Sequence, residues 1–154
     1  MFMLIRNGRI ESDEWRTLSL GKGDTPQTVR IPVGPVLVPL PVWRARRAEL
    51  IFREHEHGWP LGIWLEAEEG PEAIEHDVDD FSVIAVKFDK FTDGKYYSTA
   101  RLLREQYGYK GELRAIGDIT RERLVYQQQV GFDSFAVHAN PKQQPSRRAG
   151  SITA

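Results

Sequence analysis

The 154-residue chain contains no cysteine. That excludes disulfides, thiolate nucleophiles, Cys-ligated iron–sulfur clusters and Cys-based zinc sites. Charge of one sign is also missing: 21 basic residues stand against 22 acidic ones, so no global field favours nucleic acid or an anionic membrane. Long apolar runs are absent. The longest, Val36 to Val42, is interrupted by Pro39 and Pro41 and is far too short to span a bilayer. Met1–Arg6 has neither the length nor the preceding basic region of a secretory signal, so the expected location is the cytoplasm. There is no Gly-x-Gly-x-x-Gly fingerprint and no Walker loop, and no cofactor is expected. What remains is an ordinary composition, 40% hydrophobic and 28% charged. A chain of this size can bury roughly 70% of its unfolded surface in one core.

Three regions differ in texture. Residues 1–41 carry alternation and turn signals, with Asn7-Gly8 between Leu4-Ile5-Arg6 and Arg9-Ile10-Glu11 reading as a hairpin. A strand-like stretch from Val33 to Pro39 is studded with prolines, which deny it a central place in a sheet. This part is expected to be a small β appendage. Residues 42–58 read as a helix stopped by Gly58 and Pro60. From residue 61 the pattern becomes regular. Leu61–Leu65, Ser82–Phe88, Glu112–Ile116 and Ser134–Val137 are short apolar runs, separated by helix candidates at Pro71–Val78, Ser98–Tyr107 and Thr120–Val130. Such spacing argues for parallel βαβ units over residues 42–138: an α/β fold with a small open parallel sheet of about four strands. The same strands also fit half of a β/α barrel completed by a second chain. Residues 139–154, rich in Pro, Gln, Ser and Arg, read as a disordered tail.

In an open parallel sheet, ligands sit beyond the carboxyl ends of the strands. That points to the segment Lys87 to Lys95, which combines three lysines, two aspartates and an Asp-Gly turn. Lys87, Lys95 and Arg101 there, with Arg121 at the start of the last helix candidate, form a candidate anion site. Asp93 and Asp118 are the candidate acid/base residues, although Asp118 is also a simple N-cap for the following helix. Residues 66–80 hold eight acids and no Lys or Arg. They read either as a solvated face or as an electrostatic docking patch, with Glu68, Glu69, Glu72 and Glu75 as its contacts. The pair His55 and His57 has the wrong spacing to share a helical face, and no metal site is expected. An edge left open in so small a sheet makes a homodimer a reasonable expectation.

The run Phe88-Asp89-Lys90-Phe91-Thr92-Asp93-Gly94-Lys95, followed by Ser98 and Ala100-Arg101-Leu102-Leu103-Arg104-Glu105, resembles an uncharacterised bacterial family, the domain of unknown function nine-three-four. The resemblance continues through Tyr107-Gly108, Gly111-Glu112-Leu113-Arg114-Ala115, Gly117-Asp118 and Gly131-Phe132-Asp133-Ser134-Phe135, and reaches forward to Asp13, Trp15 and the proline-rich strand. The family has proline at Asp89, arginine at Lys95 and glycine at Tyr96; lysine at 95 keeps the charge but loses the bidentate fork. Its members are often called oxidoreductases and are commonly encoded beside the sirohaem sulfite reductase. The resemblance therefore implies a role at the sulfite step of assimilatory sulfate reduction, with the reductase haemoprotein or its electron donor as partner. A chain with no cysteine and no nucleotide fingerprint has no evident way to hold an electron by itself, so an accessory or adaptor protein is the leading expectation. An enzyme acting on a small anion, or a flavin-binding oxidoreductase, is the alternative.

Overall fold

A computed structural model describes residues 2–66, 68–88, 95–119 and 131–138. The N-terminal hairpin forms as expected: β1 (Phe2–Arg6) and β2 (Arg9–Ser12) flank Asn7-Gly8. Both turn residues have positive φ, 55° and 77°, the signature of the primed turn that matches the natural strand twist. The chain continues through β3 (Arg16–Thr17), β4 (Val36–Pro39), α1 (Leu40–His57), β5 (Leu61–Glu66), β6 (Val83–Phe88), α2 (Lys95–Arg101), β7 (Glu112–Gly117) and β8 (Ser134–His138). Pro41 lies in the first turn of α1, where a missing N–H costs nothing. Gly58, at φ 70°, closes the helix by donating to the Glu54 carbonyl at 2.8 Å. The backbone of α1 leaves helical geometry at Arg46, whose guanidinium reaches the Val29 carbonyl and Glu49.

The eight strands among the described residues belong to one sheet, in the order β2-β1-β8-β7-β6-β5-β4-β3. From β3 to β8 neighbours are parallel and follow chain order; β1 joins β8 antiparallel, and β2 joins β1 antiparallel. The sheet curls into a half-barrel. This corrects the expectation of a small four-stranded parallel sheet with a β appendage, because β1 to β4 continue the same sheet. Two local facts hide this from the sequence. The strand β3 is only two residues long. The prolines around β4 fall at its borders, at Pro35 and at Pro39 before α1, so its ladder with β3 and β5 survives. The helix expected at Pro71–Val78 is replaced by two 3₁₀ turns, Pro71–Ile74 and Val78–Asp80, which anchor Ile74 and Val78 in the core. The expected helix at Ser98–Tyr107 is present as α2 and a continuing π-turn, Leu102–Gln106. The helix expected at Thr120–Val130 and the tail 139–154 lie outside the described residues.

Strand alternation sorts the core into two faces. On the outer face, Val36, Val38, Ile63, Leu65, Ile84, Val86, Phe88, Leu113 and Ala115 meet Trp43 and Leu50 of α1, Ala100 of α2 and Leu103. Each buried Val, Leu, Ile or Phe among them contributes about 1.5–3 kcal/mol relative to exposure. The crossover from β3 to β4 adds Val29 to this layer. On the inner face, Leu4, Leu37, Trp64, Val83, Ala85, Ile116 and Ala136 form a second cluster against Trp15. Gly62 is needed there, since a Cβ would stand 2.6 Å from Leu37 and 3.0 Å from the Trp15 ring.

Candidate functional site

The carboxyl ends of β5, β6 and β7 bring together part of what the sequence singles out. Lys87 and Glu66 are register partners on neighbouring strands. Lys87 is exposed, and its Nζ sits 5.3 Å from the centroid of the Trp64 ring on the inner face. Asp118 is exposed and its backbone N–H donates to the Phe88 carbonyl at 2.9 Å, tying the end of β7 to the end of β6. This crossing requires Gly117, which has φ 93°; a Cβ there would lie 2.3 Å from the Phe88 carbonyl oxygen.

Other candidates are placed apart. Arg101 is exposed on α2, which packs through Ala100 on the outer face of the sheet, so it does not converge with Lys87. Instead it lines a shallow groove of about 400 Å³ with Ser98, Leu102, Glu105 and Gln106. The backbone of Lys95 opens α2. The Lys95 side chain, Asp93 and Arg121 lie outside the described residues. No group of three or more His, Asp or Glu is arranged to hold a metal among the described residues. His57 stacks on Trp59 at 4.4 Å.

The acidic segment is resolved into structural and free carboxylates. Glu69 accepts the Glu66 N–H at 2.8 Å and so closes the turn after β5. Asp77 pairs with Arg47 at 2.7 Å and accepts the Trp43 indole N–H at 3.3 Å. Glu68, Glu72, Glu75 and Asp79 are exposed and make no ion pair among the described residues. Burial and neighbouring acids act together on this segment. Burial and then the Asp77 charge push the Asp80 carboxyl up, and burial with Asp80 does the same to Glu54 on α1. Burial, then Glu75 and Glu72, also raise the Tyr107 hydroxyl.

A further cluster, at the opposite end of the strands, is invisible to motif reasoning. Arg114 is completely buried on the inner face of β7. Its Nε and one Nη donate to Glu112 at 3.0 and 2.8 Å, and the other Nη donates to Asp13 at 3.0 Å. Glu112 also accepts the Ser134 hydroxyl at 2.5 Å and Arg6 at 2.7 Å. Asp13 additionally accepts the Trp15 N–H at 3.0 Å. Burial alone would raise the Glu112 carboxyl, but the Ser134 hydroxyl and the Arg114 and Arg6 guanidiniums outweigh it and hold the group below the ordinary glutamate range. The only sequence signal is a charged residue inside the apolar run Leu113-Arg114-Ala115-Ile116. Such a residue on a buried strand needs partners.

The fold and site define an α/β half-barrel with a closed ion cluster at one end and free charge at the other. Residues 62–152 match the family model described as bacterial protein of unknown function (DUF934), and the chain belongs to that family. No curated protein and no solved structure matches the chain. The family segment contains the acidic band, Lys87 and Asp118, and also Glu112, Arg114 and Ser134, whereas Arg6 and Asp13 precede it. No helix among the described residues is long and apolar enough to cross a membrane.

Proposed function

We propose that this protein is a cytoplasmic accessory factor at the sulfite step of assimilatory sulfate reduction, acting by docking rather than by turnover. The observation that carries the docking part is the set of exposed carboxylates Glu68, Glu72, Glu75 and Asp79, which lack ion-pair partners among the described residues. Charges that make no internal pair cost the fold little and remain available to a basic surface, where they set encounter rate and orientation. The assignment to sulfite reduction rests on the family resemblance, and the partner is the sirohaem sulfite reductase haemoprotein or its electron donor.

The test is a binding titration of the purified protein against that haemoprotein at low and moderate salt. Salt-sensitive binding, weakened at least tenfold by the combined Glu68→Lys, Glu72→Lys and Glu75→Lys changes, supports the reading. Glu69 is left unchanged because it holds the turn. Binding that ignores these changes removes the docking patch, and no binding at either salt removes the partner.

A second reading, an enzyme acting on a small anion, is favoured by one feature: Lys87 stands exposed at the carboxyl edge beside Trp64. It expects sulfite or phosphate to raise the melting temperature in a manner abolished by Lys87→Ala.

A further inference from the structure

The edge of the sheet formed by β2 carries the most specific unused information in the molecule. All four residues of β2, Arg9 to Ser12, are exposed, and Ile10 is one of the large apolar side chains left in solvent, at 37%. The strand lacks proline, lysine and a bulge, the usual devices that blunt an edge. The register then decides what this edge can accept. In a two-residue hairpin the flanking residues Arg6 and Arg9 are the hydrogen-bonded closing pair. Alternation makes Ile5 and Ile10 the next, non-bonded pair, so the N–H and C=O of Ile10 point away from β1.

Charge on the same strand is self-complementary. Arg9 stands directly across from Arg6, an unfavourable like-charge pair, and has no ion pair among the described residues. Arg6 is already engaged by Glu11 and Glu112. If a second β2 lies antiparallel with the two Ile10 residues opposite each other, Arg9 of each copy falls opposite Glu11 of the other. The two Ile10 residues exchange their outward N–H and C=O groups and cover one another's side chains.

We propose that β2 is the contact strand of a symmetric homodimer, paired antiparallel about Ile10 and extending the half-barrel sheet from one copy into the other. It does not depend on the sulfite-reduction reading. The contact is small, so the dimer dissociates on the order of 100 μM.

Sedimentation over a concentration series of the full chain tests it, with circular dichroism confirming that each variant is folded. The wild type is expected to dimerise. Arg9→Glu gives a strand with two acids and Glu11→Arg a strand with two bases, and each alone is expected to be monomeric. Mixed in equal amounts they restore both cross-strand pairs and form the heterodimer. Ile10→Lys is expected to be monomeric alone. A wild type that stays monomeric at millimolar concentration overturns the proposal. So does a dimer that both charge variants retain, which places the contact elsewhere, or a mixture that stays monomeric while the wild type dimerises.

Discussion

At the amino ends of the parallel strands, Arg114, Glu112, Asp13, Ser134 and Arg6 close on one another until every nitrogen of the buried guanidinium has an acceptor. At the carboxyl ends, Lys87 and Asp118 face solvent, and of the carboxylates that follow β5, Glu68, Glu72, Glu75 and Asp79 lie exposed. The residue types are the same and their roles are opposite. Buried charge must be saturated, because an unpaired ion in a low-dielectric interior costs several kcal/mol. Exposed charge need not be, and its interactions remain open to a partner. The first end is therefore architecture and the second is where recognition can occur, in keeping with the rule that parallel sheets bind at the carboxyl ends of their strands.

The sharpest way to break this contrast is to empty the closed end. Arg114→Met leaves Glu112 and Asp13 facing each other without their shared cation, and is expected to cost about 3–5 kcal/mol in denaturant unfolding. Adding Glu112→Gln should recover part of that loss. A coupling of about 0.5–3 kcal/mol in the double-mutant cycle is expected for residues in direct contact. If Arg114→Met is nearly neutral and shows no coupling, the cluster does not hold the inner face together.

The next effect probes whether the open end is loose in its backbone as well as its charges. Gly117→Ala places a Cβ against the Phe88 carbonyl at a φ of 93°. A loss of about 1–3 kcal/mol in thermal unfolding is expected. That result would show a rigid frame carrying free side chains. An unchanged melting temperature would mean that the β6–β7 crossing relaxes easily.

Much of the frame was legible. The Ile-, Val- and Leu-rich runs announce β5 to β8, and Asn7-Gly8 announces its hairpin, because period-2 burial and turn chemistry are local properties. The strand order was not. Nothing local says that β1 lies on β8, or that two residues at 16–17 suffice to start a parallel edge. The ion cluster was hidden for the same reason: Asp13 meets Arg114 across 101 positions and Arg6 meets Glu112 across 106. Conversely, Lys87 and Arg101 are close in sequence yet fall on opposite sides of the sheet, because strand and helix send them to different faces. The acidic band illustrates a third case. Its composition was plain, but only the structure separates Glu69 and Asp77, which hold the fold, from Glu68, Glu72 and Glu75, which do not.

The pH dependence of stability sharpens the contrast further. Glu112 titrates below its ordinary range in the folded chain. A depressed carboxylate contributes stability that is present in full above the unfolded value and is lost as pH falls through the folded one. The wild type should therefore lose stability on acidification below the ordinary glutamate range, and Glu112→Gln should flatten that part of the profile while being less stable at neutral pH. A parallel displacement of the whole curve would mean that another carboxylate drives the acid transition.

The smallest expected change in stability falls on the free band, and there smallness is the informative result. Glu68, Glu72 and Glu75 make no ion pair among the described residues and are exposed. Reversing all three to lysine should move unfolding free energy by no more than about 0.5 kcal/mol per site, the ordinary range for surface changes. Relief of acidic crowding around Tyr107 should also bring its hydroxyl back toward its ordinary value, since Glu75 and Glu72 help to raise it. A spectrophotometric titration of tyrosine would read this change separately from folding. A large loss of stability would show that the band carries unrecognised structural work, and the division between a closed, architectural end and an open, interacting one would fail at its open side.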